Sequence, residues 1–286
     1  MKRWMVTFSG AWKAVLKERL LLGANLLGLP MLFGGFWGWL YLPVSSIPLV
    51  LLSVALLLAV VLALLLLTVF TYNSYYVAHR PLQPVSSEGI RLPVTPLGRR
   101  SVAVLPAMLI WFVVFGLLCA SIGWVGSFTL DWAKPVASSL TMVSQKPVSF
   151  YSVNAVFVGV LDAIRWLVLP LVFFASFAGL ATAALRRGRR GQWQRNAMCS
   201  LRNPAYWVGW LAFLALGLWT PAKLIDWVPG IEGIPQATAS MLLRFGAAIV
   251  LAILCWLVFL SLLARLTKKP RESLLVVAGE TRPRPA

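Results

Sequence analysis

An all-α integral membrane protein with six transmembrane helices is the fold this sequence predicts, and three observations lead to it. Residues 49–70 read LVLLSVALLLAVVLALLLLTVF, without a charge and with polar side-chain atoms only at Ser53 and Thr68. At about 1.5 Å per residue this run reaches about 33 Å, enough to cross a hydrocarbon core of about 30 Å. Composition agrees: 60% of residues are hydrophobic and 12% charged, where a soluble domain carries about 25% charged residues. Structures that span a bilayer are helices or closed barrels, because every backbone polar group must be satisfied internally. The apolar runs here are continuous rather than alternating segments of about ten residues, which selects helices. Third, lysine and arginine are distributed so that six crossings segregate them to one side.

Residues 1–19 predict an amphipathic helix lying on the membrane surface. Trp4, Phe8, Trp12 and Val15 recur at helical spacing among Lys2, Arg3, Lys13 and Lys17, the pattern of an interfacial helix. The stretch lacks the compact apolar core and small-residue cleavage site of a signal peptide. The membrane domain then covers 20–267. Its first run, 20–42, contains Pro30 and the pair Gly34 and Gly38; G-x-x-x-G lets a neighbouring helix approach closely, and also arises by chance in glycine-rich runs. The second span is 49–70, the third 102–125, the fourth ends near Leu185, the fifth is 204–225 and the sixth 241–266. Asn203-Pro204 reads as an N-cap followed by proline at the first helical position. Pro30, Pro106 and Pro170 fall inside spans and predict kinks. Residues 268–286 predict a flexible basic tail, whose short apolar LLVVA could dock on a partner or on the bundle.

Five Lys/Arg precede the first span, four separate spans two and three, six separate spans four and five, and six close the chain. Lys134, Lys146, Arg165, Lys223 and Arg244 alone fall on the other side. By the positive-inside rule both termini are cytoplasmic, in the inner membrane of a cell, with the spans arranged as three helical hairpins. The net charge of +18 is thereby explained by topology, and no nucleic-acid partner is implied. Trp37, Trp39, Trp124, Trp132 and Trp227 fall at the outer ends, where amphipathic rings settle among headgroups.

Few residues suggest chemistry. Asp162 and Arg165, three apart, share a helix face. A fourth helix entering near Val153 would carry them to the midplane, where a charge points to function. A helix entering at Trp166 would leave 153–165 as a surface helix with an ordinary pair, and the length of the run favours this second placement. Arg244 near the start of span six is expected to snorkel. Alternatively Asp162, Arg165, Arg244 and Asp226 form an outer-leaflet polar cluster tying spans four, five and six or binding an anion. TYNSYYVAHR after span two reads as an aromatic belt closed by Arg80. The dense run RRGRRGQWQR offers Arg186, Arg187, Arg189 and Arg190 to anionic lipid or an acidic partner on the cytoplasmic face.

Catalysis has little to rest on. The eight acidic residues form no paired-acid metal motif, and His79 is the single histidine. There is no H-E-x-x-H, G-x-S-x-G or phosphate-cradling glycine loop. Cys119, Cys199 and Cys255 have no ligand spacing and form no even set. No cofactor or metal is therefore expected, and no enzymatic role. The reading that results is a non-enzymatic accessory, assembly or scaffold component of the membrane. A permease-like subunit for a small or amphipathic solute comes second, and a lipid-modifying enzyme using Asp162 third.

Overall fold

The computed structural model describes residues 2–42, 45–79, 94–185, 192–228 and 234–267, and every regular element in them is helical. In chain order these are α1 (Lys2–Lys17), α2 (Arg19–Leu40), α3 (Ile47–Ala78), α4 (Val94–Gly126), α5 (Thr129–Ser144) and α6 (Phe150–Ala163). They continue as α7 (Leu169–Leu185), α8 (Gln192–Leu201), α9 (Pro204–Ala212), α10 (Thr220–Asp226) and α11 (Ile234–Leu266). A π-turn, Ile164–Val168, joins α6 to α7, and a second, Phe213–Trp219, joins α9 to α10. Six helical stretches are long and apolar enough to cross a membrane: α2, α3, α4, α6 through α7, α9 through α10, and α11. The tail beyond Thr267 with its LLVVA, the arginines 186–190 and Arg80 lie outside the described residues.

Consecutive long helices pack antiparallel. A Cβ added to Gly28 would meet Leu67 Cδ2 at 3.2 Å and one on Gly35 would meet Val60 Cγ2 at 3.4 Å, while Trp39 Nε1 donates to Ser53 Oγ at 2.7 Å. These contacts zip α2 onto α3. Gly34 and Gly38 have nothing within 4 Å of a Cβ position, so among the described residues the G-x-x-x-G meets no other helix. Phe115 meets Phe173 at 4.7 Å between ring centroids, and Gly126 faces Leu161, which aligns α4 along α6 and α7. Gly209 lies against Leu262, and Gly217 against Cys255, setting α9 and the second π-turn on α11.

Both π-turns come immediately before a proline. Leu169 N–H bonds to Ile164 O ahead of Pro170, and Thr220 N–H bonds to Ala215 O ahead of Pro221. A proline ring collides with the carbonyl four residues earlier and, lacking an N–H, cannot donate to it; widening that turn by one residue relieves the clash. Pro30 and Pro106 sit inside α2 and α4 without such a turn. The backbone is helical on either side of Ile164–Val168, so residues 153–165 continue α7 rather than forming a separate surface helix.

Two helices are absent from the sequence reading. α5 buries Thr129, Ala133 and Ala137 against α6, with Lys134 paired to Asp131 at 3.5 Å on its exposed side. Its neutral, serine-rich sequence conceals the small-residue stripe. α8 lies along α7, where a Cβ on Gly179 would collide with Trp193 O of the α8 backbone. The charge run before α8 masks this contact in the sequence.

α1 also differs from expectation. Ala11 and Val15 are fully buried, and α1 packs on α11, with Ser261 Oγ donating to Ala11 O at 3.1 Å. Trp12, assigned by spacing to the same apolar face as Val15, is 44% exposed; the side chain of Trp4 lies outside the described ones. The amphipathic helix therefore turns one stripe to protein and another outward.

Burial is uneven along every span. Buried residues fall at the starts of α2, α4 and α9, along α7 from Pro170 onward, and toward the ends of α3 and α11. Of the most apolar 18-residue stretch of α3 only 6% is buried, and its buried residues begin at Leu65. One end of the bundle is packed, and it is the end from which the arginine- and lysine-rich connections leave.

The Gly179 contact is testable. Gly179→Val should lower the thermal midpoint of the protein in detergent, since overpacking against backbone costs about 1–3 kcal/mol. Gly116→Val, at a position with nothing within 4 Å, should leave the midpoint unchanged.

Candidate functional site: a polar hub at the end of α3

The last three turns of α3, TVFTYNSYYVA, carry more hydrogen-bonding side chains than any apolar span needs. The helix persists through them because they are packed. Tyr72 and Tyr75 are fully buried and Tyr76 is 3% exposed, so these rings are core residues and not the headgroup belt that their position suggests. Each turn of the helix reaches a different neighbour. Asn25 of α2 donates Nδ2 to Thr71 Oγ1 at 3.0 Å and to its own Leu21 O at 2.8 Å. Tyr72 OH shares a proton with Thr267 Oγ1 at 2.8 Å, beyond the end of α11, and lies 3.4 Å from Ala178 O of α7. Asn73 donates Nδ2 to Ser101 Oγ of α4 at 3.0 Å.

His79, the C-cap of α3, closes the hub. Its Nε2 lies 3.0 Å from Ser261 Oγ. Ser261 has one proton, which it donates to Ala11 O of α1, leaving its oxygen to accept. His79 Nε2 is therefore the donor, and the chain His79, Ser261, Ala11 couples α3, α11 and α1. Around α7 the pattern repeats in smaller form: Asn196 donates to Thr182 Oγ1 at 3.1 Å, and Tyr206 OH donates to Leu171 O at 2.6 Å. Beside these bonds Phe174, Trp210, Phe213, Trp256 and Phe259 form a ring cluster with centroids between 5.2 and 6.1 Å apart. Such pairs add about 0.5–1.5 kcal/mol each beyond area burial.

The residues expected to form an outer-leaflet cluster are dispersed in their bonding. Arg165 stacks its guanidinium 5.3 Å from the Trp166 ring centroid and reaches toward Gly123 of α4. Asp162 is exposed. Arg244 Nη1 donates to Ile225 O at 3.4 Å and its Nε to Ser240 O at 3.2 Å, so it caps the carbonyl end of α10, where a cation is favoured. That contact joins spans five and six. Asp226 follows Ile225 and is exposed. Among the described residues the ion pair is Asp131 with Lys134, and none of the four forms one. Arg186, Arg187, Arg189 and Arg190 lie outside the described residues.

The two best-formed concavities among the described residues are shallow. One of about 310 Å³ runs along α5 at Pro135, Val136, Ser139, Leu140 and Val143. The other, about 420 Å³, lies between α1 and the end of α11 at Val6, Ser9, Gly10, Lys13 and Arg265. Neither includes Asp162, Arg165, Asp226 or Arg244. Among the described residues no three His, Cys, Asp or Glu side chains converge as a metal site. The hub's chemistry is hydrogen bonding between helices, with Asn73 Oδ1 and Tyr75 OH buried without a partner among the described residues. A signal for it existed in the sequence: Thr71, Tyr72, Asn73 and His79 stand as polar side chains at the end of a long apolar run, and Asn25 stands as the one amide inside the first span.

The chain matches no protein-family model, no curated protein and no solved structure.

A double-mutant cycle tests the hub. Tyr72→Phe and Thr267→Val should each destabilise the detergent-solubilised protein, with a coupling energy of about 0.6 kcal/mol, the average for interhelical hydrogen bonds in a membrane protein. Additive effects would show that the two hydroxyls act independently.

Proposed function

We propose that this chain is a non-enzymatic multi-pass protein of the inner membrane, an accessory, assembly or scaffold component with both termini in the cytoplasm. It presents a basic face there to anionic lipid and to a protein partner. One observation carries the reading: around the end of α3 the polar side chains of Asn25, Tyr72, Asn73 and His79 are engaged in bonds between helices. A transport path needs polar groups facing water, and a catalytic site needs an acid or nucleophile held beside a base. Asp162 has no hydrogen-bonding or ion-pair partner among the described residues. The charge-rich connections all leave the packed end, which supports the cytoplasmic assignment of that end. Toward the other end α2 and α3 expose Met31, Phe33, Leu51 and Leu52, an apolar surface suited to lipid or to a partner helix.

A permease-like subunit is the second reading. It is favoured by the two π-turns, one of which contains Arg165 and adjoins Asp162, since such turns often mark functional positions.

Orientation is read from tags: an epitope at either terminus should be protected in intact cells, and labelling from outside overturns the assignment. Role is read from purification in mild detergent. A second membrane protein in fixed stoichiometry is expected, lost when Met31→Ser and Phe33→Ser are combined. A protein that purifies alone, and whose Asp162→Cys or Arg244→Cys variant reacts with impermeant thiol reagents from both sides of the membrane, is a permease.

A further inference from the structure

We propose that the groove between α1 and the end of α11 binds the phosphate of an anionic phospholipid, with Arg265 and Lys13 as its cations and Ser9 as a hydroxyl donor. Arg265 is held in place: its Nη1 donates to Val6 O at 3.1 Å and Thr7 O at 3.0 Å. Gly10 permits this, since a Cβ there would overlap the guanidinium. With Nη1 engaged by carbonyls, the rest of the guanidinium fork keeps its charge and its other N–H donors. Among the described residues neither Arg265 nor Lys13 has a carboxylate within 4.0 Å. Two cations without a carboxylate partner among the described residues and a hydroxyl thus line one groove of about 420 Å³, and arginine matches phosphate geometry better than any other side chain.

The surroundings select a lipid over a soluble phosphate. Following α1 around its axis at 100° per residue, Ser9 stands between Lys13 and Val6 on one side and Leu16 and Trp12 on the other. Val6, Trp12 and Leu16 are 62%, 44% and 49% exposed. A headgroup seated on Arg265 and Lys13 places its acyl chains along the exposed Trp12 and Leu16 beside Ser9, which a water-soluble anion would leave uncovered. The site rests on the reading that the packed end meets the cytoplasmic leaflet, and it differs from the arginine run 186–190.

The test uses the full chain in mild detergent, incubated with phosphatidylglycerol or phosphatidylcholine, and counts bound lipids by native mass spectrometry. Wild type should retain phosphatidylglycerol in preference to phosphatidylcholine. Lys13→Gln, an exposed substitution that leaves the α1 contacts intact, should lower that retention about fivefold. Arg202→Gln, an exposed arginine elsewhere on the packed end, should change it less than twofold. Equal losses in the two variants, or no loss in Lys13→Gln, overturn the site. Displacement of the lipid by millimolar glycerol 3-phosphate reassigns it to a soluble phosphate and overturns the lipid. Detergent has no sidedness, so failure here leaves the orientation of the termini to the tag experiment.

Discussion

Apolar side chains gain nothing by leaving hydrocarbon for one another, and the architecture depends on this constraint. Where a helix is purely apolar, lipid covers it as well as protein does, and helices associate through close approach and interhelical hydrogen bonds. The first two-thirds of α3 illustrate the point. Ile47 to Leu64 is the most apolar part of the chain and is hardly buried, while burial begins at Leu65, just before the polar residues start.

Hydrogen bonds determine which helices meet at that end. Asn25, Asn73, Tyr72 and His79 connect α3 to α2, α4, α7 and α11, so one helix terminus serves as the common partner. Each of these groups would cost free energy if left bare in a low-dielectric interior. Their pairing therefore specifies the arrangement as well as stabilising it. Glycines complete the work: Gly179, Gly209 and Gly10 are places where a methyl group would strike the facing helix or the Arg265 guanidinium.

Much of the fold was legible in the sequence, because long apolar runs act locally. The six spans stand where composition puts them, and the Asn203 cap with Pro204 behind it forms as expected, Oδ1 accepting from Ala205 N–H at 3.0 Å. What escaped depended on neighbours that a linear reading does not contain. The tyrosines of α3 look like a headgroup belt until Ala178 and Thr267 are brought against Tyr72. Gly34 and Gly38 look like a packing motif, yet Gly28 and Gly35 face α3. α8 hides behind a charge run because its defining contact is the bare backbone of Gly179. The π-turns are legible in hindsight as the turns ahead of Pro170 and Pro221, whereas Pro30 and Pro106 show that proline alone does not impose one.

A widened turn has a geometric consequence of its own. Each residue added to or removed from a helix swings everything beyond it by about 100°, so the extra residue at Ile164–Val168 sets the azimuth of α6 separately from that of α7. The α7 half stays keyed to Gly179 and its neighbours, while the half bearing Asp162 can be re-aimed by a single insertion or deletion without disturbing the keyed half. Variation in chain length at this turn would thus redirect one carboxylate around the helix axis while leaving the packed end of the molecule as it is.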